Sequence, residues 1–168
     1  HGDAYLESLV ARVHDRGLDA VVEFDCRYLD TDALTVAIRR ADLVVLPYES
    51  TEQVTSGVLV EAIAAGKPVV ATAFPHAVEL LGTGAGIVIP HGDSVALTAA
   101  LRTVLGDPSS AAWMATEARL VGSNLYWPAI ARRYDRMITK LATQHRAART
   151  LAAATRPQED PDVFAKVS

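Results

Sequence analysis

Three short runs of apolar, mostly β-branched residues set the limits on how this chain can fold: "DLVVLPY" (42–48), "PVVAT" (68–72) and "AGIVIP" (85–90). They carry apolar residues on both faces rather than alternating, which suits strands of a parallel sheet covered on both sides. The segments between them read as helices. "DTDALTVAIRRA" (30–41) has an acidic start and a basic end, as the helix dipole favours. Ser56 is placed to cap a helix over about 57–65, and Gly66 can end it in a left-handed conformation. "HAVELL" (76–81) is a short helix, "DSVALTAALRTVL" (93–105) an amphipathic one capped by Asp93 or Ser94, and another spans about 109–121. Strands alternating with helices predict an α/β fold with a Rossmann-like parallel sheet and helices on both faces.

The ends of the chain follow the same logic. "DAYLESLVARVHDR" (3–16) spaces Leu6, Leu9, Val10 and Val13 as a helix, with Asp3 as N-cap and Gly17 as stop. "AVVEF" (20–24) reads as a further strand. "WPAIARRYDRMITKLA" (127–142) is the last strong helix, with Pro128 in its first turn and an apolar stripe of Trp127, Ile130, Tyr134, Ile138 and Leu141. The expected division is one domain over 1–145 and a poorly ordered tail over 146–168.

Composition narrows the function. The 168 residues carry a formal net charge of −4, against nucleic acid as a partner. A single cysteine, Cys26, gives no disulfide framework and fits a reducing compartment, so the expected location is cytoplasmic. No apolar run reaches membrane-spanning length. His14, His76, His91 and His145 are scattered without metal-ligand spacing, and no metal is expected. No GxGxxG follows a strand, which argues against a Rossmann dehydrogenase.

In a doubly wound sheet, ligands bind at the carboxyl ends of the strands. That rule selects the loops beginning at Asp25, Pro47, Thr72 and Pro90. After the strand at 42–48, the loop "PYESTEQVT" leads into a helix whose free N–H groups and positive dipole end favour a phosphate. Thr55, Ser56 and Gly57 are small enough for a ligand to approach that backbone. Glu61, the only carboxylate in "TSGVLVEAIAAGKPVVAT" (55–72), lies just over one turn inside the helix. There it can accept hydrogen bonds from the hydroxyls of a sugar attached to that phosphate, or serve as a structural glutamate paired with Lys67.

"ADLVVLPY" (41–48), "SGVLVEAIAAGKPVVAT" (56–72) and "GAGIVIPHGDSVALTAAL" (84–101), in that order, resemble the C-terminal, donor-binding half of the retaining GT-B glycosyltransferases of family 4, or group 1, type. "YWPAIARRYDRM" (126–137) is similar to the tryptophan-bearing helix that closes that domain. The resemblance implies a nucleoside-diphosphate sugar as donor substrate, with Glu61 on the ribose and the backbone of Thr55, Ser56 and Gly57 facing the diphosphate. A second acid eight positions before Glu61 usually contacts the donor sugar. Here Gln53 stands there, which departs from the pattern, with Glu52 beside it as a substitute and Glu49 further upstream. The loop "DCRYL" would approach the nucleobase through Arg27, Tyr28 and Leu29, or be an ordinary surface loop. His76 and Glu79 could reach the donor, but helix capping and loop packing come ahead of that reading.

The resemblance further implies that the chain lacks the first two strands of that domain, the Arg/Lys pair that clamps the diphosphate, and the N-terminal acceptor domain. On that reading it is the C-terminal part of a longer protein, inactive and marginally folded in isolation. The acceptor is open: a sugar, a lipid or a small molecule. The basic stretch Arg132, Arg133, Arg136 and Lys140 allows a peripheral membrane contact, or is a solvated helix face. Alternatives to sugar transfer are a non-catalytic nucleotide-sugar-binding module, a degenerate fragment, or a GT-B nucleotide-sugar epimerase.

Overall fold

The computed structural model describes residues 2–154, with side chains through 149. The chain divides into two compact units, His1–Leu34 and Thr35–Ser168. The first holds α1 (Gly2–Asp15) and a stretch without regular secondary structure up to α2 (Thr31–Arg40), which runs across the boundary. Gly17, at φ +64°, stops α1 as expected. Asp3 does not cap α1; the helix already starts at Gly2, and Asp3 sits in its first turn, where its charge favours the dipole.

"AVVEF" is not a strand. The N–H groups of Val21 and Val22 both donate to the Leu18 carbonyl at 3.0 Å, so the turn after α1 consumes the donors a ladder would need. Val21 is 77% exposed. β-propensity describes how a side chain fits a pleated surface, and no strand among the described residues offers 20–24 one.

The second unit is built on a parallel sheet of three strands among the described residues, β1 (Val44–Leu46), β2 (Val69–Thr72) and β3 (Gly86–Ile89), in the order β1-β2-β3. Val44 pairs with Val69, and Val69 with Gly86. All four residues of β2 are buried, as a central strand covered on both faces requires. Helices α3 (Gly57–Ala64), α4 (Pro75–Leu81), α5 (Ser94–Gly106) and α6 (Pro108–Gly122) surround the sheet. Val70, Ile89, Ala100, Val104 and Met114 form the core between the sheet and the α5–α6 pair. Asp93 caps α5 by accepting from the Ala96 N–H at 2.8 Å.

Helix α3 is terminated by its sequence. Gly66 takes φ +68°. Its N–H donates to Ile63 and the N–H of Lys67 to Ala62, at 2.9 and 3.0 Å, the paired bonds of a Schellman stop.

The last helix, α7 (Trp127–Ala154), continues past the expected end at 142. The residues that follow, "TQHRAARTLAAA" (143–154), contain neither glycine nor proline to stop it. The rest of the expected tail, 155–168, lies outside the described residues. The apolar stripe of α7 is largely exposed, with Trp127 at 82% and Ile138 at 62%. Among the described residues no helix is long and apolar enough to cross a membrane.

Candidate active site

The carboxyl ends of β1, β2 and β3 meet at Tyr48. Its carbonyl accepts from Thr72 Oγ1 at 2.8 Å and contacts His91 Nδ1 at 3.0 Å. Its ring lies 5.2 Å from that of Phe74, which is fully buried. Its hydroxyl reaches Ser56 Oγ at 3.0 Å. Tyr48 thereby ties the exits of all three strands to the start of α3.

Ser56 caps α3 as the sequence predicts, its Oγ accepting from the Leu59 N–H at 3.2 Å. Its own N–H donates to His76 Nδ1 at 3.3 Å, and the Val60 N–H donates to its carbonyl. That leaves the N–H groups of Gly57 and Val58 without a partner among the described residues. Nothing lies within 4 Å of where a Cβ on Gly57 would stand. The helix start is thus open, with two free donors and the positive dipole end behind them.

Glu61 follows on the same helix. It is half-buried, and its carboxylate has no hydrogen bond or ion pair among the described residues. The alternative pairing with Lys67 is not formed. Glu61 lines a pocket of about 110 Å³ with Thr35, Ile38, Arg39, Ala64, Ala65 and Tyr126, whose hydroxyl donates to the Ala64 carbonyl at 3.1 Å. A partly exposed carboxylate without a partner among the described residues is free to accept hydrogen bonds from a ligand.

A second pocket, of about 200 Å³, opens at the strand ends between Pro47, Glu49, Thr72, Pro90 and Asp93. This is the crevice the topology rule selects. Gln53 is half-buried and turns its Nε2 onto the Thr55 carbonyl, which stiffens the loop entering α3. Glu52 is exposed, with its backbone N–H on Ser50 Oγ at 3.3 Å. The structure therefore brings Thr55, Ser56 and Gly57 together at the helix start, with Gln53 and Glu52 in the loop before it and Glu61 one turn beyond.

Arg27, Tyr28 and Leu29 belong to the first unit. Arg27 grips Asp25 with Nε and Nη2 at 2.9 and 2.8 Å, and its N–H also reaches that carboxylate. Tyr28 is 98% exposed and Leu29 half-buried. The side-chain hydrogen bonds from Arg27, then its backbone N–H, lower the Asp25 pKa from 3.8 to about 2. A depressed carboxylate favours the folded loop above the unfolded-state pKa, and that contribution disappears as pH falls through about 2. Replacing Arg27 with alanine should return the Asp25 titration to near 3.8, read from its side-chain carboxyl resonance. A midpoint that stays near 2 would mean that Arg27 is not the cause.

The ties made by Tyr48, His76 and His91 are the part that sequence reasoning did not assemble. A signal exists: each strand exit carries one polar side chain, Tyr48 after β1, Thr72 at the end of β2 and His91 after β3. Among the described residues, no cluster of three or more His, Cys, Asp or Glu could hold a metal ion.

Comparison with known proteins gives the family and the fold. The family model described as glycosyl transferases group 1 matches residues 1–107, more than half of the chain. The chain belongs to that family. Sucrose-phosphate synthase from Thermosynechococcus elongatus superimposes with a TM-score of 0.64 at 27% identity, covering 84% of this chain and 35% of that one. HepE from Anabaena, solved with UDP-glucose, gives a TM-score of 0.68 at 25% identity, covering 84% of this chain and 38% of that one. The C-terminal domain of LpcC, a group 1 family glycosyl transferase from Francisella tularensis, matches at 20% identity with a TM-score of 0.65, covering 73% of this chain and 62% of that one, and shows the shared fold. The chain thus spans little more than a third of the length of the first two of these proteins. A search of curated proteins found no match. The α/β architecture is that of a GT-B C-terminal domain.

Proposed function

We propose that this chain is the donor-binding part of a glycosyltransferase that moves a sugar from a nucleoside-diphosphate sugar to an acceptor with retention of anomeric configuration. The observation that carries this is the unpartnered, half-buried Glu61 behind an open helix start. Family membership supports it, as does the likeness to HepE, which was solved with UDP-glucose. In this reading Glu61 accepts hydrogen bonds from the ribose hydroxyls. The backbone at Thr55, Ser56 and Gly57 faces the diphosphate, with the free N–H groups of Gly57 and Val58 as its donors. As the bond from the sugar to the diphosphate breaks, negative charge grows on the leaving oxygen. The α3 dipole and those donors are fixed where that charge develops, and no metal is required for the purpose.

Gln53, or Glu52 after a one-residue shift of the loop, meets the hydroxyls of the donor sugar. Arg27, Tyr28 and Leu29 are assigned to the base. The acceptor, a sugar, a lipid or a small molecule, is held by a separate acceptor domain of a longer protein. The chain works in the cytoplasm, with α7 available for peripheral membrane contact.

A second reading is favoured by one observation. Gln53 has no charge and spends its amide on Thr55, so the domain would bind a nucleotide sugar without transferring it. The full-length protein, given a panel of nucleotide sugars and acceptors, separates the two. Release of nucleoside diphosphate with formation of a product of the donor's own anomeric configuration, read by NMR, is the expected result. An inverted product would remove retention. Donor binding with neither transfer nor hydrolysis would establish the binding module.

A further inference from the structure

Two hydrogen bonds run in opposite directions between the loop before α3 and the first turn of α4. His76 donates its backbone N–H to the Val54 carbonyl at 3.3 Å, and its ring Nδ1 lies 3.3 Å from the Ser56 nitrogen as acceptor of that N–H. A backbone amide can only donate, so Nδ1 carries no proton in this arrangement. The neutral ring then holds its proton on Nε2, which has no partner among the described residues. His91 has the opposite form: a carbonyl can only accept, so its Nδ1 must carry the proton it gives to Tyr48.

Ser56 is 5% exposed, so its N–H has little access to water. Its hydroxyl is already engaged by the Leu59 N–H and the Tyr48 hydroxyl. The ring of His76 is therefore what satisfies the last free donor of the cap residue. Without it, that amide is buried and unpaired, and the chain entering α3 must shift to reach another acceptor.

We propose that His76 is a positioning residue for the donor: its Nδ1 locks the Ser56 amide and so fixes where the Gly57 and Val58 N–H groups stand. This rests on the donor-site reading above. His76 acts through Ser56, so its side-chain effect reaches both donor binding and the stabilisation of the charge on the leaving oxygen.

Two amide substitutions dissect the ring. Asparagine places Oδ1 near the position of Nδ1, whereas glutamine reaches toward Nε2. UDP serves as the probe, with the full-length protein. His76→Asn should bind UDP within about threefold of wild type, while His76→Gln and His76→Ala should bind about tenfold more weakly, the effect of one lost hydrogen bond. In turnover kcat should fall together with donor affinity in His76→Gln and be restored in His76→Asn, a rescue that mere destabilisation would not produce. Glutamine equal to wild type, or folded asparagine as weak as glutamine, would overturn the assignment.

Nitrogen-15 NMR of the histidine rings gives a measurement without ligand. It should show Nε2 protonated and Nδ1 not, with slow exchange of the Ser56 amide in wild type and His76→Asn and faster exchange in His76→Gln. A proton on Nδ1 would overturn the proposal. Wild-type protein that binds no nucleoside diphosphate at all overturns the donor reading and this proposal with it. Wild-type binding together with an indifferent glutamine variant overturns this proposal alone.

Discussion

Glu61→Ala in the full-length protein should weaken nucleoside-diphosphate binding by about 30- to 150-fold while leaving the fold unchanged. Hydrogen bonds to a charged group contribute about 1.5–3 kcal/mol each. Loss of about 2–3 kcal/mol from the ribose contact corresponds to that range of Kd. The fold should be spared because the Glu61 carboxylate has no partner among the described residues and alanine is the better helix former. Glu61→Gln, which keeps the reach but not the charge, should fall between the two. Titration calorimetry gives the affinity and a thermal melt gives the control. Unchanged affinity would remove Glu61 from the site, and a collapsed melt would make it a structural residue.

The largest effect on stability is expected at Gly86. It opens β3 opposite Val69, and a Cβ added there would stand 2.1 Å from the Val69 carbonyl oxygen and 3.1 Å from Leu81 Cδ2. The first obstacle is backbone on the fully buried central strand, so no side-chain rotation relieves it. Gly86→Ala should force β2 and β3 apart and destabilise the protein by about 3 kcal/mol. For a chain of this size that lowers Tm by about 6–12 °C. Gly106→Ala is the matched control, because nothing lies within 4 Å of its added Cβ at the end of α5. A Gly86→Ala melt equal to that of the control would mean that the β2–β3 register is wrong.

The parts of the fold that could be read in advance share a physical cause. β1, β2 and β3 are short β-branched runs, and each lies between segments that give helices their own signals: Ser56 and Gly66 for α3, Asp93 for α5, Pro128 for α7. Local chemistry and tertiary environment agree there. At "AVVEF" they diverge, because a strand exists only with a partner, while the Leu18 carbonyl offered a nearer use for two of its amides. The end of α7 escaped because its continuation has helix formers but neither the apolar stripe nor a stop signal.

The candidate site divides along the same line. Glu61 and the α3 start were legible because both depend on one helix and its cap. The His76–Ser56 bond spans 20 residues and the His91–Tyr48 contact 43, so both depend on strand order and register. Gln53 shows the opposite limit: its place in the loop before α3 follows from the sequence, yet its amide's turn onto Thr55 is a local choice that spacing does not specify.

The central claim is that a nucleoside diphosphate sits at the start of α3. Backbone amide NMR of the full-length protein, with UDP titrated in, tests it most directly. The account predicts that the largest and saturable shifts fall on Gly57 and Val58, with Glu61 and the loop 52–56 following the same binding curve. Shifts centred instead on the groove of α5 at Leu101, Arg102 and Leu105, or no shift at all, would contradict it.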